Sequence, residues 1–305
     1  MYLVIDIGSN TIRAVVFRIE DGLPVAVLNK KYSAGLSGYI EEKNMTGEGI
    51  EKCTEVLSEI GLITEAFTFS GVYAFATAAV RNIDNSAEVL TAVRNKCGIE
   101  IQILSGEEEA YYDYCGAMRI LGDEPGILTD VGGGSTEFVC YEKKQIFSSS
   151  SLQFGSLNLF NRYVQKLIPS EEELRVIEKE VKKSLKNEEL LHKFPKGKVP
   201  EIMCAVGGSA RAVQKLYHAM YPSKEMKNIY SRAFLKELLS RADDRKVLTM
   251  LLKTAPERIH TFFPGAAVIY AASKYFDTET ILTAPAGVRE GYLYSRLKKE
   301  GVIHE

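Results

Sequence analysis

Short apolar runs separated by glycine-containing turns dominate the first seventy residues of the chain. The runs YLVID, IRAVVF and PVAVLNKKY are divided by GSN and EDG, a pattern that predicts three strands joined by tight turns. From Thr46 onward the apolar residues recur every three or four positions, as at Ile50, Cys53 and Leu57, which predicts an amphipathic helix. The stretch AFTFSGVYAFAT then predicts a further strand, so the chain opens as β-β-β-α-β.

The next predicted elements are a helix, a strand and a second helix. Ser86 is expected to cap a helix that ends near Lys96, and IEIQIL is expected to form a strand. Ser105 and Glu108 have the spacing of a capping box, in which each side chain accepts a hydrogen bond from the other residue's backbone N–H. This pair therefore predicts the start of the helix EEEAYYDYCGAMRIL.

The opening pattern occurs a second time after the GDEPG turn. GILTDV, GSTEFVCYEKK and QIFSSSSLQF predict strands, PSEEELRVIEKEVKKSL a charged helix, and EIMCAVGGSARAVQKLY a strand, a glycine turn and a helix. From about Ser231 the pattern is mainly helical, with a strand at ETILTA and a last helix from Val288. This repetition predicts two related α/β domains, 1–120 and 121–305, facing each other across a cleft. The last helix is a candidate for crossing back to the first domain.

Three glycine turns at strand ends are candidate phosphate sites. Glycine lets consecutive backbone N–H groups converge on an anion, and neighbouring hydroxyl groups add neutral donors. The third turn opens a helix, whose N-terminus also favours an anion. The candidate residues are Gly8, Ser9, Asn10 and Thr11 in the first turn, Gly132, Gly133, Gly134, Ser135 and Thr136 in the second, and Gly207, Gly208 and Ser209 in the third.

Acidic residues accompany the first two turns. Asp6 and Asp130 each come at a strand end directly before a turn, and Glu137 lies on the strand after the second turn. Carboxylates in these positions are suited to holding Mg²⁺ through waters. An aspartate at a turn also commonly hydrogen-bonds its own backbone, so a purely structural role is the alternative for each aspartate.

Composition narrows the class of protein. The chain has 305 residues, which is enough for two domains. Its net charge is −2, so we expect no nucleic-acid partner. No apolar run has the ~18 residues of a membrane span and no basic leader precedes the first strand, so we expect a cytoplasmic protein without a membrane partner. The five cysteines are scattered without a CxxC pair, which favours reduced thiols over disulfides or zinc.

Six short motifs along the chain carry a resemblance to a known family. IDIGSNTIR, ATAAVRN, ILSGEEEA, DVGGGSTE, VGGSARA and GVREGYL, in this order, resemble the exopolyphosphatase and guanosine pentaphosphate phosphohydrolase family, from Asp6 to Leu293. The resemblance implies an α/β fold of two ribonuclease H-like (actin-like ATPase) lobes. It also implies hydrolysis of terminal phosphoanhydride bonds in inorganic polyphosphate or pppGpp with Mg²⁺, or with Mn²⁺ in its place.

The resemblance also assigns roles to individual residues. The catalytic glutamate of the family precedes the alanine of its SG-x-E-E-A motif, which is Glu109 here, and the phosphate-binding arginine is Arg81. The metal-associated acids match Asp130 and Glu137. These roles agree with the chemistry, because phosphoanhydride hydrolysis needs a positioned water, a cation and donors around the phosphoryl group. Glu108 is expected to serve the capping box, and Glu107 the helix dipole.

Two departures from the family pattern concern the site and the length. Tyr111 stands where the family often has an arginine, which removes one expected basic contact. The C-terminal helical domain of long family members, with its His-Asp motif, is not visible in the sequence, so the chain resembles the short two-domain form. Arg258 and Arg289 are secondary candidates for phosphate contacts.

Several alternatives stay open at the level of sequence. Polyphosphate and guanosine penta- or tetraphosphate are not distinguished, and a homodimer is an option. Tyr112 is a candidate for stacking on a base, with core packing as the alternative, and Lys196 and Lys198 are candidates for an anion contact. Two other functions use the same turns: a non-catalytic sensor of (p)ppGpp or another nucleotide, and a small-molecule kinase of the same superfamily.

Overall fold

The computed structural model describes residues 1–189, 194, 200–222 and 228–303. Lys196 and Lys198 lie outside the described residues. The chain forms two compact units: unit 1 is Met1–Tyr112 with Arg289–Glu305, and unit 2 is Asp113–Val288. The boundary between the units, 112/113, lies eight residues before the predicted 120/121. It falls within one continuous helix, Gly106–Ala117. The last helix contributes to unit 1 from Arg289 onward.

Unit 1 is built on a mixed five-stranded sheet of order β3-β2-β1-β6-β7. Strands β1, β2 and β3 form an antiparallel meander, whereas β6 and β7 run parallel to β1. The element bounds are β1 Tyr2–Ile7, β2 Thr11–Glu20, β3 Leu23–Ser33, β4 Ile40–Glu41, β5 Asn44–Met45, α1 Gly47–Ala66, β6 Gly71–Ala76, α2 Ala78–Arg81, α3 Ser86–Cys97, β7 Ile101–Ile103 and α4 Gly106–Ala117.

Unit 2 repeats this plan in a six-stranded sheet of order β10-β9-β8-β11-β13-β12. Strands β8, β9 and β10 form the antiparallel meander, and β11 and β13 run parallel to β8. The bounds are β8 Gly126–Val131, β9 Thr136–Glu142, β10 Gln145–Leu152, α5 Ser156–Tyr163, α6 Glu171–Asn187, β11 Ile202–Val206, α7 Gly207–Met220, β12 Ile229–Ser231, α8 Arg232–Ser240, α9 Arg245–Thr254, α10 Phe262–Tyr275 and β13 Thr280–Thr283. The last helix of the chain, α11 Val288–Lys299, belongs to unit 1 from Arg289 onward.

Local sequence explains most of these elements. The Thr46 side chain accepts a hydrogen bond from Gly49 N and so caps α1, the helix predicted from Thr46 onward. The residue at the α3 N-cap position is Asn85, one residue before the predicted Ser86. Its side chain makes no capping hydrogen bond and instead accepts from Met45 N at 2.8 Å. The helix α10 is apolar on all sides because it is buried in the core of unit 2.

Each unit has its own hydrophobic core, one around β1 and α1 and the other around β8, β11 and α10. All five cysteines are free thiols. Within the described part of the chain, no helix has both the length and the apolar composition needed to cross a bilayer.

Candidate functional site

The first glycine turn connects β1 to β2 and presents backbone N–H groups on one side. It is closed by a hydrogen bond from Gly8 N to Thr11 O of 3.0 Å. The carbonyl oxygens of Ser9 and Asn10 accept hydrogen bonds from the N–H groups of Ser37 and Gly35. Because the C=O and N–H of a trans peptide point in opposite directions, the N–H groups of Asn10 and Thr11 are directed away from that segment.

The second turn has the same geometry in unit 2. Gly132 N donates to Ser135 O at 3.0 Å, as Gly8 N does to Thr11 O. The carbonyl oxygens of Gly132 and Gly133 accept from the first N–H groups of α5, and that of Gly134 accepts from the side chain of Asn158 at 3.0 Å. The N–H groups of Gly133, Gly134 and Ser135 consequently face the opposite side, as an anion-binding nest requires.

Not every predicted donor in this turn is directed toward a ligand. The hydroxyl of Thr136 is buried and donates to Phe154 O at 2.7 Å. In the third turn the hydroxyl of Ser209 is also buried and donates to Val131 O at 2.9 Å. Both hydroxyl protons therefore hold the backbone of the turns, which leaves the backbone N–H groups as the candidates for the predicted anion binding.

The two predicted catalytic residues lie in contact in unit 1. Arg81 is at the end of α2 and donates from Nη1 to Glu109 Oε2 at 2.8 Å and to Leu104 O at 3.0 Å. Both side chains are largely buried, with 14% and 12% exposure. An arginine held by a carboxylate and a carbonyl keeps a fixed orientation, which suits a group that must meet phosphoryl oxygens.

The adjacent glutamates behave as the sequence predicts. Ser105 N donates to Glu108 Oε2 at 2.8 Å and Glu108 N donates to Ser105 Oγ at 3.1 Å, which is the capping box. Glu107 is exposed in the first turn of α4. Its own backbone N–H and then the Ser105 hydroxyl lower the pKa of its carboxyl, with a smaller contribution from Arg81. Glu109 is thus the member of the triplet that contacts Arg81.

Asp6 and Asp130 occupy equivalent positions but have different neighbours. In unit 1 the residue opposite Asp6 on β2 is Arg13, and Arg289 Nη1 donates to Asp6 Oδ2 at 2.7 Å. In unit 2 the residue opposite Asp130 on β9 is Glu137. Directly opposite residues of an antiparallel pair share a face of the sheet, so unit 2 brings two carboxylates together where unit 1 brings a carboxylate and arginines.

Glu137 is a buried carboxylate with a defined partner. It is 1% exposed and accepts a hydrogen bond of 2.8 Å from Ser151 Oγ on β10. A buried carboxyl group is costly without hydrogen-bond partners, and the Ser151 hydroxyl supplies one of them. Ser151 had no distinguishing signal in the sequence, because it is one of four consecutive serines.

The third turn packs against Asp130 and Arg258. Gly207 follows β11, which is parallel to β8, so it reaches the same sheet edge as Asp130. A Cβ atom at Gly207 would overlap the Asp130 carboxylate, and one at Gly208 would overlap the Arg258 guanidinium. Burial, followed by the charge of Arg211, lowers the pKa of Arg258, whereas Glu257 and Asp130 act to raise it. Arg258 therefore joins Asp130 and the third turn, and Arg211 is a neighbouring cation that the sequence did not single out.

The carboxylates of Asp6, Asp130 and Glu137 are the candidate ligands for a divalent cation. Among the described residues, no group of three or more His, Cys, Asp or Glu side chains could hold a metal ion. Mg²⁺ is usually bound by one or two carboxylates and completes its shell with waters and substrate phosphates. The Asp130–Glu137 pair fits that mode of binding, whereas Asp6 is engaged by Arg289.

Tyr111 and Tyr112 of α4 belong to an aromatic cluster in unit 1. The ring of Tyr112 lies edge-on to Tyr292 with centroids 5.1 Å apart, and Tyr111 contacts Tyr112 at 5.5 Å. The hydroxyl of Tyr292 donates to Gln102 at 3.1 Å. This packing favours the structural alternative for Tyr112 over stacking on a base.

His260 is expected to make the stability of the protein depend on pH. Its ring lies edge-on to Phe160 at 5.3 Å, and burial, followed by the charge of Arg258, lowers its pKa from 6.5. A lowered pKa means that the unfolded chain binds the proton more readily, so the free energy of unfolding falls as the pH drops through 6.5 and below. We expect urea denaturation at pH 5.5 and 7.5 to show a smaller stability difference in His260→Gln than in the wild type. An equal difference in both proteins would contradict this assignment.

The fold of the chain matches that of solved structures. A family member from Aquifex aeolicus, described as a Ppx/GppA protein, superposes with a TM-score of 0.80 over 100% of this chain and 99% of its own, at 23% identity. An exopolyphosphatase from Cytophaga hutchinsonii superposes with a TM-score of 0.84 over 98% of each chain, at 21% identity. The α/β fold with two actin-like lobes is thereby confirmed.

The sequence comparisons identify the family itself. The model of the Ppx/GppA phosphatase family matches residues 15–300, and the chain belongs to this family. Exopolyphosphatase 1 of Mycobacterium tuberculosis is 26% identical over 309 residues, covering 97% of this chain and 88% of that protein.

Proposed function

We propose that this phosphatase is a Mg²⁺-dependent phosphohydrolase that removes the terminal phosphate of inorganic polyphosphate, of pppGpp, or of both, with Mn²⁺ as an alternative ion. The observation that carries the proposal is the contact between Arg81 and Glu109 at 2.8 Å. It supports the proposal because an arginine suited to phosphoryl oxygens lies beside a carboxylate suited to orienting water. Family membership and the two N–H-presenting turns support the same reaction. We propose the cytoplasm as its location.

In the proposed reaction, Glu109 accepts a hydrogen bond from a water molecule and directs its oxygen at the terminal phosphorus. The new P–O bond forms as the phosphoanhydride P–O bond breaks, and its electrons pass to the leaving phosphate oxygen. Glu109 takes the water proton, and Arg81 and the backbone N–H groups of the turns hold the phosphate oxygens. Arg258 is proposed as a further phosphate contact beside the third turn.

Asp130 and Glu137 are the residues proposed to hold the metal ion. When bound, Mg²⁺ neutralises charge that develops on the leaving phosphate oxygens. Asp6 is a weaker candidate for this role because Arg289 contacts it at 2.7 Å. A fixed carboxylate that orients Arg289 is the role of Asp6 that its contacts support.

The proposal is tested by measuring phosphate release with Mg²⁺ from long-chain polyphosphate, short-chain polyphosphate and pppGpp. We expect release from at least one of them by the wild type and none above background from Glu109→Ala. Release that does not depend on Glu109 would contradict the mechanism. Tight binding of ppGpp without release from any substrate would favour a sensor, and transfer of phosphate from ATP to a sugar would favour a kinase.

The contact between Asp6 and Arg289 gives a separate prediction. Because each side chain is largely buried, with 15% and 12% exposure, removing one partner leaves the other charge without its main compensation. We expect Asp6→Asn and Arg289→Gln each to lower stability by about 2–4 kcal/mol, and the double variant to lose much less than the sum. Urea denaturation of the four proteins measures this coupling, and additive losses would contradict it.

A matched pair of variants separates a metal role from this structural one. If Asp130 holds the ion and Asp6 orients Arg289, Asp130→Asn should raise the Mg²⁺ concentration needed for half-maximal activity by tenfold or more, at about 1.4 kcal/mol per tenfold. Asp6→Asn should leave that concentration within about threefold of the wild type. The reverse result would restore Asp6 as the principal metal residue.

A further inference from the structure

In the second glycine turn, the carbonyl of Gly134 is held by a side chain from outside the turn, that of Asn158. Asn158 is in the first turn of α5 and makes hydrogen bonds in two directions. Its Oδ1 accepts from Gly155 N at 2.6 Å, and its Nδ2 donates to Gly134 O at 3.0 Å. These partners determine the orientation of the amide, because a backbone N–H requires the oxygen and a carbonyl requires the NH₂ group.

The donation to Gly134 bears directly on anion binding. Gly134 O and Ser135 N belong to one peptide plane, so fixing the carbonyl toward α5 directs the Ser135 N–H to the opposite side. Gly134 is glycine, whose backbone can adopt conformations closed to other residues, so this peptide can rotate unless something holds it. Asn158 supplies a hold from outside the turn.

In the equivalent turn of unit 1, a hydrogen bond also holds the carbonyl at this position. Asn10 occupies the position of Gly134, since both turns are closed by the same 3.0 Å hydrogen bond. Its carbonyl accepts from Gly35 N at 2.9 Å. Unit 1 therefore uses a backbone N–H from a following segment where unit 2 uses the amide of Asn158.

We propose that Asn158 is a positioning residue of the second turn: it fixes the Gly134 peptide so that the Ser135 N–H contacts the phosphate. The inference rests on the proposed function, because it assumes that this turn binds the phosphate of the substrate. Asn158 acts through Gly134 and does not itself touch the substrate. Its side chain is exposed, so its removal disturbs the core little.

The variant Asn158→Asp separates positioning from structure. A carboxylate keeps the acceptor for Gly155 N, and a negative charge at a helix N-terminus favours α5, so stability should be retained. The variant loses the NH₂ group that donates to Gly134 O and has a carboxylate oxygen in its place, which repels the Gly134 carbonyl. We expect kcat/KM for phosphate release to fall about tenfold or more, as for the loss of one well-placed hydrogen bond to a charged group, with an unchanged melting temperature.

The control is Asn161→Asp, which adds the same charge three residues further along α5, at a position that is also exposed. It should leave kcat/KM within about twofold, in line with the weak, salt-screened effect of an exposed charge. Measurements at low and high salt remove any remaining effect of charge alone. Equal losses in the two variants, or full activity in Asn158→Asp, would overturn the inference.

A crystal structure of Asn158→Asp gives a readout that does not depend on activity. We expect the Gly134–Ser135 peptide to be rotated from its wild-type orientation, with the rest of α5 unchanged. A peptide in the wild-type orientation would overturn the inference. If the wild-type protein releases no phosphate but the variant peptide is rotated, the proposed function fails while the positioning by Asn158 stands.

Discussion

Replacing Glu109 with glutamine is expected to lower kcat for phosphate release by about 10²–10⁴, the contribution usual for a general base. The amide keeps the size of the side chain and a hydrogen bond to Arg81, but it cannot take a proton from water. Substrate binding should persist, because the glycine turns and Arg81 remain. Initial rates and equilibrium binding of tripolyphosphate, measured with the same preparation, test both parts.

Glu107→Gln is the matched control for this experiment. Glu107 lies two residues earlier in the first turn of α4 and is exposed, so the substitution removes the same charge from the same helix end. Its kcat should stay within about threefold of the wild type, because loss of an exposed charge near a helix N-terminus costs only about 0.3–1 kcal/mol. If the two variants lose activity equally, Glu109 is not the base.

Gly207→Ala is expected to disrupt the site in unit 2 and to destabilise the protein. Gly207 has a φ of +81°, which L side chains rarely adopt, and a Cβ atom there would overlap the carboxylate of Asp130. Either Asp130 or the start of α7 must move. We expect a loss of about 3 kcal/mol or more in the free energy of unfolding, by backbone strain plus overpacking. If Asp130 holds the metal, kcat/KM should fall by about tenfold to a hundredfold.

Gly98→Ala separates the two causes. Gly98 has a φ of +66° but open space where the Cβ would lie. Its substitution should therefore cost only the left-handed conformation, about 1–2 kcal/mol, and should leave kcat/KM unchanged. Chemical denaturation and initial rates of both variants make the comparison. A loss at Gly207 no larger than at Gly98 would show that the contact with Asp130 does not constrain the turn.

The hydrophobic pattern was sufficient for most of the fold. The meanders β1–β3 and β8–β10 were predicted from their apolar runs and from the glycine-containing turns after β1, β2 and β8. The turn between β9 and β10 gave no such signal: Lys143 and Lys144 both have positive φ values, of 50° and 57°. Tertiary pairing of the strands imposes that conformation on residues that do not favour it.

The sequence by itself determined where along the chain Asp6, Asp130, Glu109 and the glycine turns lie. The spacing of apolar residues, the turn-forming residues and the order of the motifs are all local properties of the chain. Only the tertiary structure decided which partners these residues have. Whether a carboxylate faces Arg289 or Glu137, and whether a glycine carbonyl is held by Asn158, depends on segments distant in sequence that the sheets and helices bring together. The roles of Asp6 and Asn158 follow from those partners, and no local pattern in the chain encodes them.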